Sequence, residues 1–247
     1  MSDVGFALSL FDAPPARGEV IVRPIEYSLA RRSVIRWHYS HRMPMGNLRC
    51  YGAWEGETEY VGAVIWGDGA TPEIGSPYGL EQADMVELVR VAFRDHAVPV
   101  TRVIAETIRD LKMTEPRLRL AVSFADERQG HLGKIYQAGN WIYAGVAYTH
   151  VYVVNGTEYH PRTLHRRYGV GGQSVPWLRA NVDPNAERVQ VAPKHRYLYP
   201  LDKAIRRRVA NLALPYPRGL SVDGDTSSFH DGEASSTLAD RSLLDTP

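Results

Sequence analysis

Apolar and polar positions along the first 156 residues follow two different periods. Short runs that alternate with a period of two, or that are apolar throughout, predict β-strands. These strands lie at residues 19–25, 48–54, 60–66, 84–93, 118–125, 141–147 and 150–154. Apolar residues at helical spacing predict helices at residues 27–37, 101–112 and 130–139. Because strands and helices alternate after a hairpin, the sequence predicts a three-layer α/β fold, with a central mixed β-sheet flanked by helices.

Three stretches break these periods. Residues 67–83 are rich in Gly and Pro and predict a long loop, and residues 157–208 are less regular and dense in basic and aromatic side chains. Residues 218–247 are rich in Ser, Gly, Asp and Thr without an apolar period, so we expect a disordered tail. Two arginines and six acidic residues give the tail a net charge of −4, whereas residues 1–217, with 27 basic and 22 acidic residues, carry +5. An acidic tail can compete with a polyanion for a basic site, and a solvated tail that aids solubility is the alternative.

The composition is that of a soluble globular protein. Of the 247 residues, 44% are hydrophobic and 23% are charged. No run of about 18 apolar residues occurs, so we expect no membrane span. The N-terminus lacks the basic start and long apolar core of a signal peptide. Cys50 is the one cysteine, which excludes an internal disulfide and fits the cytoplasm.

The segment 123–141, SFADERQGHLGKIYQAGNW, joins a strand to a helix and is dense in reactive groups. Loops at the ends of sheet strands are where enzymes usually place their chemistry. Ser123 lies three residues before Asp126, so simple alternation puts the two side chains on opposite faces of the strand. Both reach one cleft only if the strand bends or the helix begins before Asp126.

The order of strands and helices resembles that of the GNAT family of acyl-CoA-dependent N-acetyltransferases. In that family the fourth and fifth strands splay apart and hold the pantetheine, and the pyrophosphate lies at the N-terminus of the helix after the fourth strand. The resemblance implies acetyl-CoA or a related acyl donor. The candidate cofactor-binding residues are Arg90, Arg94, Thr101 and Arg102, and Thr101 is also a candidate N-cap. The usual Gly-rich phosphate turn is absent, since the sequence there is FRDHAVPVTR.

The helix and aromatic strand in GHLGKIYQAGNWIYAG are also similar to the GNAT pattern. In that family a Tyr on this helix can protonate the departing thiolate, and Tyr136 matches its position. The alternative for Tyr136 is a half-buried aromatic side chain whose hydroxyl contacts water.

Several motifs taken together indicate a narrower family. WHYSHRMP (residues 37–44), YGAWEGETEYVGAVIWG (51–67), MVELVRVA (85–92), VSFADERQGHLGKIYQAGNWIYAG (122–145) and PKHRY (193–197) occur in this order. Over residues 19–200 this series resembles the Mom family of phage DNA-modification proteins. The resemblance implies a GNAT-like transferase in the host-cell cytoplasm that modifies the N6 amine of adenine in double-stranded DNA by methylcarbamoyl or acyl transfer, and so protects phage DNA from host restriction. It leaves open whether a metal such as iron takes part.

The chemistry implied by this resemblance suggests roles for named residues. Because adenine N6 is a poor nucleophile, its attack needs an acceptor for the N6 proton, and Asp126 is the first candidate. The alternative for Asp126 is a cap for the following helix. His38 and Tyr39 belong to the HYS box that would border the cleft, and His38 is a candidate acid–base group or metal ligand. Ser123 completes the catalytic candidates, and Arg90 either pairs with Glu87 or binds the cofactor.

A duplex DNA substrate needs cations for its phosphates and aromatic side chains for an extruded base. The candidate nucleic-acid-binding residues are Arg162, Arg166, Arg167, Lys194, Arg196 and Tyr197. The alternative for such a charge run is a solvated face, but the concentration of cations in one region favours DNA.

The chain is then organised as an N-terminal arm (residues 1–18), a GNAT-like catalytic core (19–156), a basic and aromatic C-terminal extension (157–217) and a disordered acidic tail (218–247). Two other hypotheses remain. One is a GNAT-type N-acyltransferase that acts on a protein, tRNA or small-molecule amine, and the other is a non-catalytic DNA-binding protein on an acyltransferase scaffold. The donor, the DNA sequence context and the oligomeric state are not indicated by the sequence.

Overall fold

The computed structural model describes residues 20–69 and 71–218, so the expected N-terminal arm and almost all of the expected tail lie outside the described residues. The chain divides into compact units after Pro217, and every element named here lies before that point. The strands are β1 (Val20–Pro24), β2 (Leu48–Glu55), β3 (Glu59–Gly67), β4 (Met85–Phe93), β5 (Leu120–Asp126), β6 (Ile142–Val154), β7 (Thr157–Tyr159) and β8 (Glu187–Pro200). The helices are α1 (Tyr27–Trp37), α2 (Val100–Thr114), α3 (Lys134–Ala138), α4 (Pro161–Tyr168), α5 (Val175–Asn181) and α6 (Lys203–Val209).

These strands form one mixed sheet, which confirms the predicted fold class. Within the described part of the chain, its eight strands have the order β1-β2-β3-β4-β5-β8-β6-β7. The β4–β5 pair is parallel and the other neighbours are antiparallel. The α2 helix connects the two parallel strands, as a parallel crossover requires.

Helices cover both faces of the sheet, as the alternation along β3 shows. Trp66 packs in a buried cluster with Val103 of α2, whereas its neighbour Ile65 packs with Val34 of α1. Since adjacent strand residues point to opposite faces, α1 and α2 lie on opposite sides of the sheet. The predicted three layers are therefore confirmed. None of the helices in residues 20–69 and 71–218 is both long enough and apolar enough to cross a membrane.

The β4 and β5 strands separate part-way along their length. They pair from Met85 opposite Leu120 to Leu88 opposite Ser123, and no further. Beyond that point β4 stays paired with β3, and β5 stays paired with β8. The register between β3 and β4 shifts so that Val89 is an extra residue on β4, and such a bulge bends its strand. The result is a gap between residues 89–93 and 124–126, called here the β4–β5 opening.

The segment 157–208, predicted to be less regular, is instead structured. It contributes β7, α4, α5, α6 and above all β8, which lies inside the sheet between β5 and β6. The strands predicted at 141–147 and 150–154 are one continuous β6, whose register with β8 shifts around residues 144–145 and again at Tyr148. Conversely, the helix predicted at 130–139 is only the five-residue α3.

Beyond the end of β5, the β6 and β8 strands continue as a two-stranded ribbon. This ribbon, with β7, α4 and α5, is called here the arm (residues 148–191). It has its own buried cluster, which includes Tyr152, Leu164 and Leu178. Each such fully buried side chain contributes about 1.5–3 kcal/mol of hydrophobic stabilisation, so the arm carries a small core of its own.

Candidate active site

The HYS box lies next to the β4–β5 opening. The α1 helix ends at Trp37, and His38 follows it in an extended conformation. The ring of Tyr39 lies between two imidazoles, with centroids 4.3 Å from His38 and 5.4 Å from His131. Tyr39 is 48% exposed and His38 is 8% exposed. The box therefore presents an aromatic side chain to solvent above a buried imidazole.

The hydrogen bonds of His38 fix its tautomer. The backbone N–H of Ser40 donates to Nδ1 of His38 over 3.1 Å. An acceptor Nδ1 in a neutral imidazole leaves the proton on Nε2. Burial, followed by the charges of Arg90, His131 and His41, lowers the pKa of His38 to about 4. Near pH 7, His38 is therefore a neutral hydrogen-bond donor rather than a proton acceptor.

Asp126 has a capping role and an ion pair. Its carboxylate accepts the backbone N–H of Arg128 at 3.1 Å, which is the capping alternative, and lies 3.4 Å from Nζ of Lys194. Burial, then the charge of Asp126, raises the pKa of Tyr39, which places this carboxylate within electrostatic range of the HYS box. Asp126 is thus held at the edge of the opening with one cation beside it.

Arg90 connects the bulged part of β4 to the segment after the HYS box. Its Nε donates to the Arg42 carbonyl at 3.1 Å, and one Nη donates to the Val89 carbonyl at 2.6 Å. Burial lowers the pKa of Arg90, and its charge in turn helps to lower the pKa of His38 and offsets part of the rise in the pKa of Tyr39. Arg90 therefore holds the box against β4 and supplies a positive charge there.

Ser123 and Tyr136 form a second, buried part of the site. Ser123 Oγ lies 2.8 Å from the Leu88 carbonyl oxygen and 2.8 Å from the Tyr136 hydroxyl. Because the carbonyl can only accept and serine has one proton, Ser123 donates to Leu88 and Tyr136 donates to Ser123. Leu88 and Ser123 are also the last pair before the strands separate, so this hydroxyl pair lies at the base of the opening.

Tyr136 is held in its neutral form. Its pKa is raised to about 12 by burial, with a further contribution from the charge of Tyr39. The two tyrosines are therefore electrostatic neighbours across the opening. Alternation along β5 puts Ser123 and Asp126 on opposite faces, as expected, yet both border the opening because it is a gap between strands.

A cavity of about 300 Å³ lies between α2 and α3. Thr101 and Arg102 line it on the α2 side, and Trp141 lines it on the sheet side. The Trp141 ring is 5.2 Å from that of Tyr136, so the cavity wall adjoins the buried hydroxyl pair. Thr101 is not the N-cap, since Pro99 occupies that position without a side-chain cap and Thr101 lies inside the helix.

The predicted cofactor residues are therefore only partly brought together. Thr101 and Arg102 line the cavity, whereas Arg90 lies by the HYS box. Arg94 is engaged elsewhere, because it donates to the Tyr60 carbonyl at 3.0 Å and to the Glu59 carboxylate at 2.6 Å.

The predicted DNA contacts lie on two elements, α4 and β8. Arg162, Arg166 and Arg167 are exposed on α4, in the arm. Lys194 pairs with Asp126, and Arg196 donates to the Ala144 carbonyl at 2.8 Å.

Tyr197 is buried, contrary to the prediction that it contacts DNA. It is 0% exposed and packs against Tyr136 and Tyr143, and its hydroxyl donates to the Leu132 carbonyl. A side chain with no exposed surface cannot stack on a base, so its role is in the core. Its position on β8, inside the sheet, is the physical reason.

His195, within the PKHRY motif, is a further candidate site residue that was not predicted from the sequence. It is 6% exposed, and its Nδ1 lies 3.0 Å from the Tyr143 hydroxyl. Its Nε2 has no hydrogen-bond partner among the described residues and lies 3.7 Å from the Glu127 carboxylate. Among residues 20–69 and 71–218 no three His, Cys, Asp or Glu side chains are grouped so that they could hold a metal ion.

Two comparisons with known proteins identify the same family. The family described as "Mom protein family" matches residues 19–218. A protein named "Methylcarbamoylase mom", from Escherichia phage Mu, is 30% identical over 207 residues, which cover 81% of this chain and 84% of that protein.

Solved structures give weaker likenesses. A spermidine N-acetyltransferase from Vibrio cholerae, solved as a dodecamer, is 12% identical and covers 76% of this chain and 97% of its own, with a TM-score of 0.42. FeeM, an N-acyl amino acid synthase from uncultured soil microbes, is 13% identical and covers 77% and 95%, with a TM-score of 0.40.

Proposed function

The chain belongs to the Mom protein family, and from that premise we propose that it modifies the N6 amine of adenine in double-stranded DNA by methylcarbamoyl or acyl transfer. The observation that carries the proposal is the match to "Methylcarbamoylase mom" over 81% of the chain. It is supported by the β4–β5 opening, where the charge of Asp126 helps to raise the pKa of Tyr39 in the HYS box, and Tyr39 in turn contributes to the raised pKa of Tyr136. In a phage-infected cell the reaction would take place in the host cytoplasm and protect the modified DNA from restriction.

The proposed scaffold is GNAT-like. Its support is the strand order, the parallel β4–β5 pair that opens at a bulge, and the helix that follows β4. An acyl-CoA-type donor is the proposed second substrate, because the cavity between α2 and α3 joins apolar Ile104 and Ile135 to the polar Thr101 and Arg102. A thioester donor supplies an electrophilic carbonyl carbon and a thiolate leaving group.

Each residue of the opening has a task in this transfer. The N6 nitrogen bonds to the donor carbonyl carbon, the bond from that carbon to sulfur breaks, and the N6 proton leaves. The Asp126 carboxylate accepts that proton. Tyr136, whose pKa of about 12 keeps it protonated, gives a proton to the thiolate. The Nε2–H of His38 and the charge of Arg90 stabilise the negative charge that develops on the carbonyl oxygen.

Replacement of the Asp126 carboxylate by a neutral amide tests the proposal. DNA from cells that express the wild-type chain is digested to nucleosides and analysed by mass spectrometry, and a modified deoxyadenosine is expected. In Asp126→Asn the product should fall by about 10²-fold or more, because an amide cannot accept the N6 proton. Asn remains a good cap, so the fold is preserved. Only unmodified deoxyadenosine from the wild-type chain would overturn the proposal.

The same measurement separates the two other hypotheses. An acyltransferase for proteins, tRNA or small amines leaves the DNA nucleosides unmodified while an acyl donor is consumed. A non-catalytic DNA-binding protein retains DNA with a salt-dependent affinity and gives no product.

A further inference from the structure

The arm carries a polar cavity that belongs to neither the opening nor the α2–α3 cavity. Its volume is about 290 Å³, and it lies on the ribbon of β6 and β8. The lining residues are Tyr148, Thr149, His150, Arg188 and Gln190.

The hydrogen bond between Arg188 and His150 leaves the cavity lined by hydrogen-bond donors. One Nη of Arg188 lies 3.0 Å from His150 Nδ1. Because a guanidinium only donates, Nδ1 accepts, and the neutral imidazole carries its proton on Nε2. The remaining guanidinium N–H groups, this Nε2–H and the Gln190 amide all offer hydrogen to a ligand, because His150, Arg188 and Gln190 share one face of the ribbon. Such a set suits an anion with several acceptor oxygens.

Neighbouring cations make the same place electropositive. The pKa of His150 is lowered by burial and by Arg188. The pKa of His160 is lowered by burial and then by Arg162, Lys194 and His150. The backbone N–H of Arg162 donates to His160 Nδ1 at 3.2 Å, so His160 also keeps its proton on Nε2. Basic side chains therefore act on both imidazoles, and the positive potential that they produce there favours an anion.

The nearby carboxylates already have partners or point elsewhere. Glu158 pairs with Arg128 at 3.0 Å. Asp183 is buried and accepts the backbone N–H groups of Asn155 and Asn185. Glu187 is the sequence neighbour of Arg188 on β8, so it points to the other face of the ribbon.

We propose that this cavity is a phosphate subsite, in which Arg188 and His150 bind a phosphodiester of the DNA strand that presents the base to the β4–β5 opening. The inference rests on the proposed function. Gln190 lies four residues along β8 from Lys194, the partner of Asp126, which is about 13 Å at the usual rise of a strand. A nucleotide step advances about 3.4 Å along the axis of the duplex, so the phosphate lies within about four nucleotides of the target base.

The salt dependence of DNA binding tests the subsite. The dissociation constant of a short duplex is measured by fluorescence anisotropy at several salt concentrations, with the wild-type chain, Arg188→Gln and Lys112→Gln. Loss of one phosphate contact should reduce the slope of log K against log salt by about 1, and should weaken binding about tenfold at roughly 0.1 M salt. Lys112, exposed in the last turn of α2, is the matched loss of one charge away from the arm, and its variant should keep the wild-type slope.

The possible outcomes test the phosphate subsite and the proposed function separately. A wild-type chain that yields modified deoxyadenosine while Arg188→Gln keeps the full slope overturns the subsite and leaves the proposed function intact. A wild-type chain that neither binds nor modifies DNA overturns both. Binding of coenzyme A, measured on the same variants by calorimetry, should be unchanged. A loss of coenzyme A affinity in Arg188→Gln together with an unchanged DNA slope would assign the cavity to the phosphates of that molecule and overturn the inference.

Discussion

His38 and Tyr136 border the same opening, and burial keeps both of them uncharged. The pKa of His38 is lowered to about 4 and that of Tyr136 is raised to about 12. The charged groups of the opening are the Asp126 carboxylate, its partner Lys194, and Arg90. The opening therefore offers one acceptor and two cations beside two neutral donors, and these groups can accept one proton and donate another.

The depressed pKa of His38 predicts a pH-dependent stability. In the unfolded chain His38 takes up a proton as the pH falls through about 6.5, whereas in the folded chain it does so only near 4. The free energy of unfolding of the wild-type chain should therefore fall with decreasing pH over this window, by on the order of 2–3 kcal/mol from this residue.

The variant His38→Asn isolates this contribution, because Asn does not titrate and can still accept the Ser40 N–H. Urea denaturation of both chains at several pH values between 4 and 7 gives the difference in the free energy of unfolding. The gap between wild type and variant should change across the window. Parallel curves would show that His38 is not held neutral by its surroundings.

At the scale of elements, the short segment between β5 and α3 has a strict backbone requirement. Gly133 has a φ of +73°, and a Cβ added there would clash with the Tyr197 ring. Gly130 has a similar φ of +70° with nothing within 4 Å of an added Cβ. The two glycines thus separate the effect of backbone conformation from that of packing.

Alanine should lower the free energy of unfolding by different amounts at the two positions. Gly130→Ala should lower the free energy of unfolding by about 1 kcal/mol, the strain of a left-handed residue. Gly133→Ala should cost about 2–4 kcal/mol, because the strain adds to a clash with a buried ring. Denaturant midpoints with unchanged slopes would measure both. Equal costs would mean that the Tyr197 ring is free to move away.

Local patterns predicted some elements well because one face of each is buried. The bounds of α1 match the predicted 27–37, and the predicted hairpin is β2 with β3. The β8 strand was missed because its sequence is largely polar at first and contains Pro193, which argues against a central strand. Pro193 is tolerated because it lies where the register between β6 and β8 is broken, between Val191 and Lys194.

The residues of the candidate site could likewise be predicted only in part. Ser123, Asp126 and Tyr136 lie in one continuous motif, so the sequence could place them near one another. Tyr197 was misplaced because its burial depends on the position of β8 in the sheet. The basic cluster of the arm was out of reach, since His150, His160 and Arg188 come from three separate segments that only the folded ribbon brings together.

At the scale of the whole molecule, charge is unevenly distributed along the chain. Residues 1–217 carry +5 and residues 218–247 carry −4. Within the first part, the exposed arginines of α4 and the cations around His160 lie in the arm. A polyanion that binds the arm therefore has the same sign of charge as residues 218–247 of the same chain, which can compete with it for basic side chains.

This tethered competition predicts that a chain ending at Pro217 binds duplex DNA more tightly than the full chain at low salt. Removal of a net −4 should strengthen binding by roughly three- to tenfold at about 0.05 M salt, and the difference should vanish near 0.3 M as screening shortens the range of the charges. Anisotropy titrations of both chains measure this. A full-length variant with the six acidic residues of the tail replaced by Asn or Gln separates charge from length, and it should bind like the shortened chain. If the shortened chain binds more tightly but the neutralised one does not, the tail acts by its bulk and the electrostatic competition is wrong.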